Sequence, residues 1–469
     1  RAPGAASFPG ILRASKHYAS HGHRPCMRRA GVLCHITSLP GAPWHGTLGG
    51  YAREFVDMLA GYDIRVWQML SVNPPDEYDS PYAATSAFAG CTALNYPHMS
   101  RQLLHSAVDE WVEENSHWVE DWALYEVLKD LFEGRPWTEW PEKLRDRDPE
   151  ALKEVIKDGL VQMPYYGRMR RQFEFKLDWD VLRAHPRLRD VQLFGDMPFF
   201  LAHDSADVWA NQHLFLLEES GAPAVVAGVP PDYFSEKGQR WGTVHYDWDA
   251  HRAEGFAWWK SRMKRMFELF DIVRIDHFRA IDSAWAIPAH HPTAEHGEWV
   301  QGPGDELLEA ILEASPRGRL VAEDLGIIPD SVVEMRRKHG LPGMAVLQFA
   351  NDDADNPHNP ENHTEDMVVY TGTHDNDTTV GWGKKPVREM ITTALESPAE
   401  LAIIPLQDVM GLGSHARMNT PGTQEGNWKW RFEFTLPSGR HTDKSPDLDD
   451  LDKDDWNWFG EAVRLSGRS

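Results

Sequence analysis

The chain has 469 residues, 41% hydrophobic, 11% aromatic and 26% charged, with 36 Gly and 32 Pro. These are globular values and exclude a mainly disordered, collagen-like or fibrous protein. The net charge of −24, from 72 acidic and 48 basic residues, argues against nucleic-acid or anionic-membrane partners and suits a neutral substrate.

Residues 1–28 are rich in Arg, Ser and His and contain no acidic residue and no apolar segment. They read as a disordered tail, with an organelle transit peptide as the second reading. Eight short apolar runs follow: Gly31–Leu39, Ile64–Val72, Val191–Phe200, Asp271–Phe278, Leu320–Gly326, Met344–Ala350, Met367–Thr373 and Leu401–Leu406. Each is apolar throughout rather than alternating, as parallel strands covered on both faces are. Amphipathic segments such as Tyr51–Tyr62, Phe256–Phe270, Asp305–Ala314 and Pro329–His339 lie between them. Eight strand–helix repeats predict a (β/α)8 barrel, with no separate C-terminal β-domain expected.

The gaps after the second and third runs exceed the needs of a barrel of ~250 residues. They predict insertions at about 100–166, Trp- and Glu-rich and helical, and at about 208–248, punctuated by Gly and Pro. Residues 432–469 form an acidic segment expected to pack on or near the barrel, with Asp447–Asp455 as a solvated surface. Three cysteines (Cys26, Cys34, Cys91) imply no disulfide framework and fit a reducing compartment. No run of about 18 apolar residues offers a transmembrane helix.

A carboxylate at the end of a buried strand is costly unless paired. Here four runs end in acidic clusters: Gly195-Asp196-Met197, Arg274-Ile-Asp276-His277-Phe-Arg279, Glu323-Asp324, and His374-Asp375-Asn-Asp377. In a barrel these ends share one mouth. Converging carboxylates allow a metal site, an ion-pair network or a glycosidase pair. A metal site would combine more histidines than His277 and His374. A network would need more cations than Arg274 and Arg279. A glycosidic mechanism needs a nucleophile and an acid/base carboxyl on adjacent elements, which Asp276 and Glu323 supply. For Asp196 or Asp324 alone, capping of the next helix is an equally good reading. Aromatic residues in loops near the strand ends (Tyr82, Tyr233, Phe234, Trp241, Phe349, Trp382) offer faces for sugar rings.

At these residues the chain resembles the 4-α-glucanotransferases, also called amylomaltases or disproportionating enzymes: glycoside hydrolase family 77 of the α-amylase clan. The resemblance rests on ordered motifs from about 29 to 431. They include Arg29-Ala-Gly-Val-Leu-Cys-His-Ile-Thr-Ser-Leu-Pro40, Asp79-Ser-Pro-Tyr82, Ser86-Ala-Phe-Ala-Gly90, Gly195-Asp-Met-Pro198 and Asp204-Ser-Ala-Asp-Val-Trp209. Gly228-Val-Pro-Pro-Asp-Tyr-Phe-Ser235, Gly238-Gln-Arg-Trp-Gly242, Arg274-Ile-Asp-His-Phe-Arg279 and Ala322-Glu-Asp-Leu-Gly326 continue them, followed by Leu341-Pro-Gly-Met344, Tyr370-Thr-Gly-Thr-His-Asp-Asn-Asp377, Pro405-Leu-Gln-Asp408 and Arg417-Met-Asn419.

The resemblance implies Asp276 as nucleophile, Glu323 as general acid/base and Asp375 as the third carboxylate, which holds sugar hydroxyls. It implies substrate-binding roles for Ser80, Tyr82, Asp196, Arg274, Gln239, Trp241, Phe349 and His374: Tyr82 and His374 meet the donor sugar, Arg274 orients the nucleophile, Asp196 is the acidic residue after the third strand, Gln239 and Trp241 lie on a mobile loop over the glucan, and Phe349 is on the acceptor side. The implied partners are an α-1,4-glucan donor and acceptor. No organic cofactor and no metal is implied, and a monomer or weak homo-oligomer is expected in the cytoplasm, with a plastid as alternative. A mainly hydrolytic amylase-type enzyme and a catalytically weak glucan-binding protein stand beside this reading.

Four departures from the family pattern occur. Thr243-Val-His-Tyr246 replaces Asn-Pro-Leu-Tyr, Trp285-Ala-Ile-Pro288 replaces Trp-Glu-Ile-Pro, Ala345 replaces a Lys, and the Asp377–Leu401 connection is shorter.

Overall fold

The computed structural model describes residues 28–41, 45–97, 103–231, 235–315, 319–431 and 453–469. The expected tail up to residue 27, Tyr233, Phe234 and the acidic stretch 447–452 lie outside the described residues.

Among the described residues thirteen strands run in chain order: β1 (Arg29–Leu33), β2 (Val66–Gln68), β3 (Gln192–Met197), β4 (Leu201–Ala202), β5 (Val225–Val229), β6 (Gln239–Val244), β7 (Ile272–Ile275), β8 (Ser283–Pro288), β9 (Glu298–Gln301), β10 (Arg319–Ala322), β11 (Gly343–Val346), β12 (Met367–Tyr370) and β13 (Leu401–Pro405). Eight of them form a parallel sheet in the order β10-β7-β3-β2-β1-β13-β12-β11. Each of the eight apolar runs read from the sequence contributes one of these strands or overlaps it.

The sheet is nearly closed into a barrel. Between its end strands the Ala322 N–H donates to the Pro342 carbonyl at 2.9 Å. The Asp324 carboxylate then enters the gap, accepting the Met344 N–H at 2.7 Å and pairing with Arg336 Nε at 3.1 Å. Gly343 is required there, because a Cβ on it would stand 2.4 Å from Asp324 Oδ2. Asp324 therefore belongs to the seam of the barrel.

Alternation along the strands fills two cores. Leu33, Val66, Phe194, Ile272, Val321, Met344, Val368 and Leu401 pack together inside the barrel. Their neighbours Val32, Trp67, Leu193, Val273, Leu320, Ala345, Val369 and Ala402 join the helices outside. This two-sided burial explains why the runs are apolar throughout. It also fixes a phase: two residues beyond Phe194, Ile272 and Val321 the chain again points inward, and those positions are Asp196, Arg274 and Glu323.

The insertion after β2 is helical, as its composition predicts, but it reaches beyond residue 166. Its last helix runs unbroken from Gly159 to Arg183, because that helix also returns the chain to β3. The insertion after β3 is more ordered than its Gly/Pro punctuation suggests. With a hairpin that follows β7 it builds a second, antiparallel sheet, β4-β6-β5-β8-β9. The helix Lys453–Leu465 buries Trp456, Phe459 and Val463 against the barrel core.

Candidate active site

The inward phase of β3 and β7 brings opposite charges together. Arg274 Nη1 donates to Asp196 Oδ1 and Oδ2 at 2.8 and 2.7 Å, and Arg274 Nη2 lies 2.7 Å from Asp276 Oδ1. Asp196 is fully buried and Arg274 nearly so, while Asp276 keeps 29% of its side-chain surface open to the mouth. The guanidinium thus holds one carboxylate below and orients another above. Burial opposes the charge on Arg274, but Asp196 and Asp276 outweigh it and keep the group firmly protonated.

Glu323 follows β10 directly. Its Oε2 accepts the His277 N–H at 2.6 Å and its Oε1 the Leu325 N–H at 2.9 Å. The strand ends are also laced together: the Glu323 N–H donates to the Ile275 carbonyl and the Phe278 N–H to the Glu323 carbonyl, both at 3.1 Å. His277 adopts a left-handed conformation, φ 51°, uncommon for a residue with a side chain. That turn aims its N–H at Glu323. Burial raises both carboxyls; Arg274 opposes the rise, and repulsion from Asp196 at Asp276 and from Asp276 at Glu323 adds to it. Asp276 is pushed to about 6 and Glu323 to about 7. The pair therefore keeps its last proton on Glu323, with Asp276 ionised against Arg274.

Opposite these, the loop after β12 presents His374 and Asp375. Asn419 Nδ2 donates to Asp375 Oδ1 at 2.6 Å, the Asn419 N–H to the His374 carbonyl at 3.1 Å, and Arg417 Nη2 to the Asp375 carbonyl at 2.7 Å. Asp375 remains about half exposed, facing the mouth. Tyr82 stacks on His374 at 5.0 Å and 15°, leans on Trp428 at 5.7 Å, and donates its hydroxyl to Asp196 Oδ2 at 2.6 Å. Burial, then the neighbouring Asp196, pushes the Tyr82 hydroxyl well above its usual range, so it stays a donor.

Asp276, Glu323, Asp375, Tyr82, Asp196, Arg274 and His374 are thus brought together. Ser80 lies in the turn before Tyr82, its N–H donating to Asp76 Oδ1 at 2.8 Å. Gln239 and Trp241, expected on a mobile loop, stand instead on β6, which pairing with β5 makes a strand, and there Trp241 Nε1 donates to Gln239 Oε1 at 3.2 Å. The Trp241 ring meets His277 edge-on at 4.8 Å and is 39% exposed. Phe349, on a turn after β11, is 39% exposed and rests on His358 at 5.5 Å. Among the departures, His245 is buried with Nε2 3.3 Å from the Trp285 carbonyl, and Ala345 packs on the outer face of β11.

Roles that sequence reasoning missed are those of His277, whose backbone holds Glu323, of the Arg417–Asn419 clamp on Asp375, and of Trp428. A signal existed for the clamp in the quoted Arg417-Met-Asn419 stretch, but nothing local links it to Asp375. Among the described residues no group of three or more His, Cys, Asp or Glu is arranged to hold a metal ion, and no helix is long and apolar enough to cross a membrane.

The family model for 4-alpha-glucanotransferase matches residues 34–100, 91–388 and 383–436. The chain is 40% identical to a 4-alpha-glucanotransferase of Thermus thermophilus, over 86% of this chain and 95% of that one. It is 38% identical to the chloroplastic/amyloplastic 4-alpha-glucanotransferase of Arabidopsis thaliana, over 90% and 85%. An amylomaltase from Streptococcus agalactiae, solved in complex with acarbose, superposes with a TM-score of 0.85 at 28% identity, over 94% of this chain and all of that one.

Proposed function

The chain belongs to the 4-alpha-glucanotransferase family, glycoside hydrolase family 77, and from that premise we propose that it transfers α-1,4-glucan segments between maltooligosaccharides by retaining double displacement. The observation that carries the mechanism is the division of labour between two carboxyls on neighbouring strands. Arg274, 2.7 Å from Asp276, aims that carboxylate and favours its charge, while burial and the charge of Asp276 raise Glu323 so that it can carry the proton. Asp276 attacks the anomeric carbon as nucleophile. Glu323 gives its proton to the departing 4-oxygen, then takes the proton of the acceptor 4-hydroxyl as the glycosyl–Asp276 bond breaks. Asp375, half exposed and clamped by Asn419, holds donor hydroxyls. Tyr82 and His374 form the platform under the donor sugar, and Ser80 borders it.

Asp196 acts one layer deeper. Its oxygens are occupied by Arg274 and Tyr82, so it sets their positions rather than binding sugar. Gln239, Trp241 and Phe349 take the acceptor side, where covering rings keep water from the glycosyl intermediate. Residues 29–431 serve as the catalytic unit. One chain supplies every site residue, so a monomer suffices. The two described thiols, Cys34 and Cys91, are free and suit a reducing cytoplasm or plastid.

Incubation with maltotriose tests the reading. Glucose should appear together with a ladder of longer maltooligosaccharides. Glucose and maltose growing without a ladder would indicate a hydrolase, and binding without turnover a glucan-binding protein.

A further inference from the structure

Arg279 and Ile327 follow Asp276 and Glu323 by three and four residues, and with Trp299 they have no part in the mechanism above. Trp299 lies on β9, the edge strand of the antiparallel sheet, and is 41% exposed. One face of its ring is covered by the Arg279 guanidinium, whose carbon lies 3.7 Å from the ring centroid, and Trp285 meets it at 5.2 Å and 64°. Arg279 Nη1 donates to the Ile327 carbonyl, and the Ile327 side chain is 76% exposed. The three residues join the loops after β7 and β10, the loops that bear Asp276 and Glu323.

Their position has a direction. The donor platform of Tyr82, His374 and Asp375 comes from the loops after β2 and β12, whereas this patch comes from the connections after β7 and β10. Two tryptophans of the antiparallel sheet grip one short segment there: Trp241 on His277, Trp299 on Arg279. His277 and Arg279 are two residues apart in the turn that follows Asp276, so both rings are tied to that turn. A part-exposed indole already fixed by a cation and a second ring offers an apolar face without further ordering cost.

We propose that Trp299, with Arg279 behind it and Ile327 beside it, forms an outer acceptor subsite for an α-1,4-linked glucan that passes Trp241. This rests on the transfer reading. It predicts that maltotriose as acceptor uses the subsite and that free glucose does not reach it.

The test uses an α-glucosyl fluoride donor blocked at its 4-hydroxyl, which leaves the acceptor side empty once fluoride departs. KM is measured for glucose and for maltotriose as acceptors. Trp299→Ala should raise the KM for maltotriose about three- to tenfold relative to that for glucose, Trp299→Phe should restore most of the preference, and the surface change Ile327→Ala should shift the same ratio in the same direction. An unchanged ratio, or equal losses with both acceptors, would overturn the subsite. A wild-type protein that releases fluoride but uses neither sugar would instead overturn the transfer reading.

Discussion

On the side of β3 and β12, the polar groups around Asp276 are bonded to one another before any ligand arrives. Asp196 holds Arg274 and Tyr82, Arg274 holds Asp276, and Asn419 holds Asp375. Trp241 and Trp299 on the antiparallel sheet and Phe349 after β11 stand about two-fifths exposed, each held by one or two ring contacts of its own. The first half is a buried network in which each bond depends on the others. The second is a set of separate surfaces. The contrast suits an enzyme that must distort one sugar in a fixed way and then accept sugars of many lengths.

The comparison breaks most sharply at the carboxyl pair. Asp276→Asn and Glu323→Gln should each lower turnover ~10³-fold or more, an effect of several kcal/mol on the barrier, while circular dichroism stays native. Near-normal turnover in either variant would remove that residue from its role.

Arg274→Ala attacks the network itself. It leaves Asp196 buried without its ion partner, and breaking a buried pair costs about 3–5 kcal/mol. Both activity and thermal stability should fall. A variant that loses activity with an unchanged melting temperature would show that the donor half is not an interdependent network.

The pH profile should be bell-shaped and narrow. Asp276 must be ionised and Glu323 protonated, so kcat/KM should fall below about pH 6 and above about pH 7. Stability carries the same signature. The Glu323 carboxyl lies above its unfolded value, so its contribution to stability is greatest in acid and is lost as the pH rises toward 7. The melting-temperature difference, Glu323→Gln minus wild type, should therefore grow more positive between about pH 4 and pH 7. A difference independent of pH would mean Glu323 titrates normally.

The smallest effect is expected from the other half. Trp241→Ala should leave glycosyl-enzyme formation possible and shift capture of the intermediate from sugar toward water several-fold, since one ring contact is worth about 0.5–1.5 kcal/mol. An unchanged transfer-to-hydrolysis ratio with a large drop in melting temperature would make Trp241 an anchor of β6 only.

The two halves also differ in how far the sequence reveals them. A barrel strand buried on both faces leaves a continuous apolar run, and its last inward positions announce themselves as carboxylates where none belong. Asp196, Asp276 and Glu323 could be found that way. The antiparallel sheet leaves no such trace. β6 is mostly exposed, β5 and β6 are offset by an irregularity at Val226–Gly228, and β8 comes from a separate insertion. Only pairing across distant segments makes them strands. The same non-locality hid the clamp of Arg417 and Asn419 on Asp375 and the meeting of Trp299 with Arg279.

The manner in which β1 is held bears on how the protein is made. Arg29 to Leu33 pair with Leu401 to Pro405, and the Ala30 N–H donates to the Arg468 carbonyl. The Arg468 guanidinium, fully buried, binds the carbonyls of Arg29, Leu395 and Ser397. The first strand of the barrel thus finds one neighbour and its clasp only after all the other barrel strands have been made. Vectorial folding, strand upon strand, cannot finish this barrel. The nascent chain must keep an apolar edge waiting until β13 is made, and removal of the helix Lys453–Leu465 with Arg468 should be felt first as poor yield from the cell.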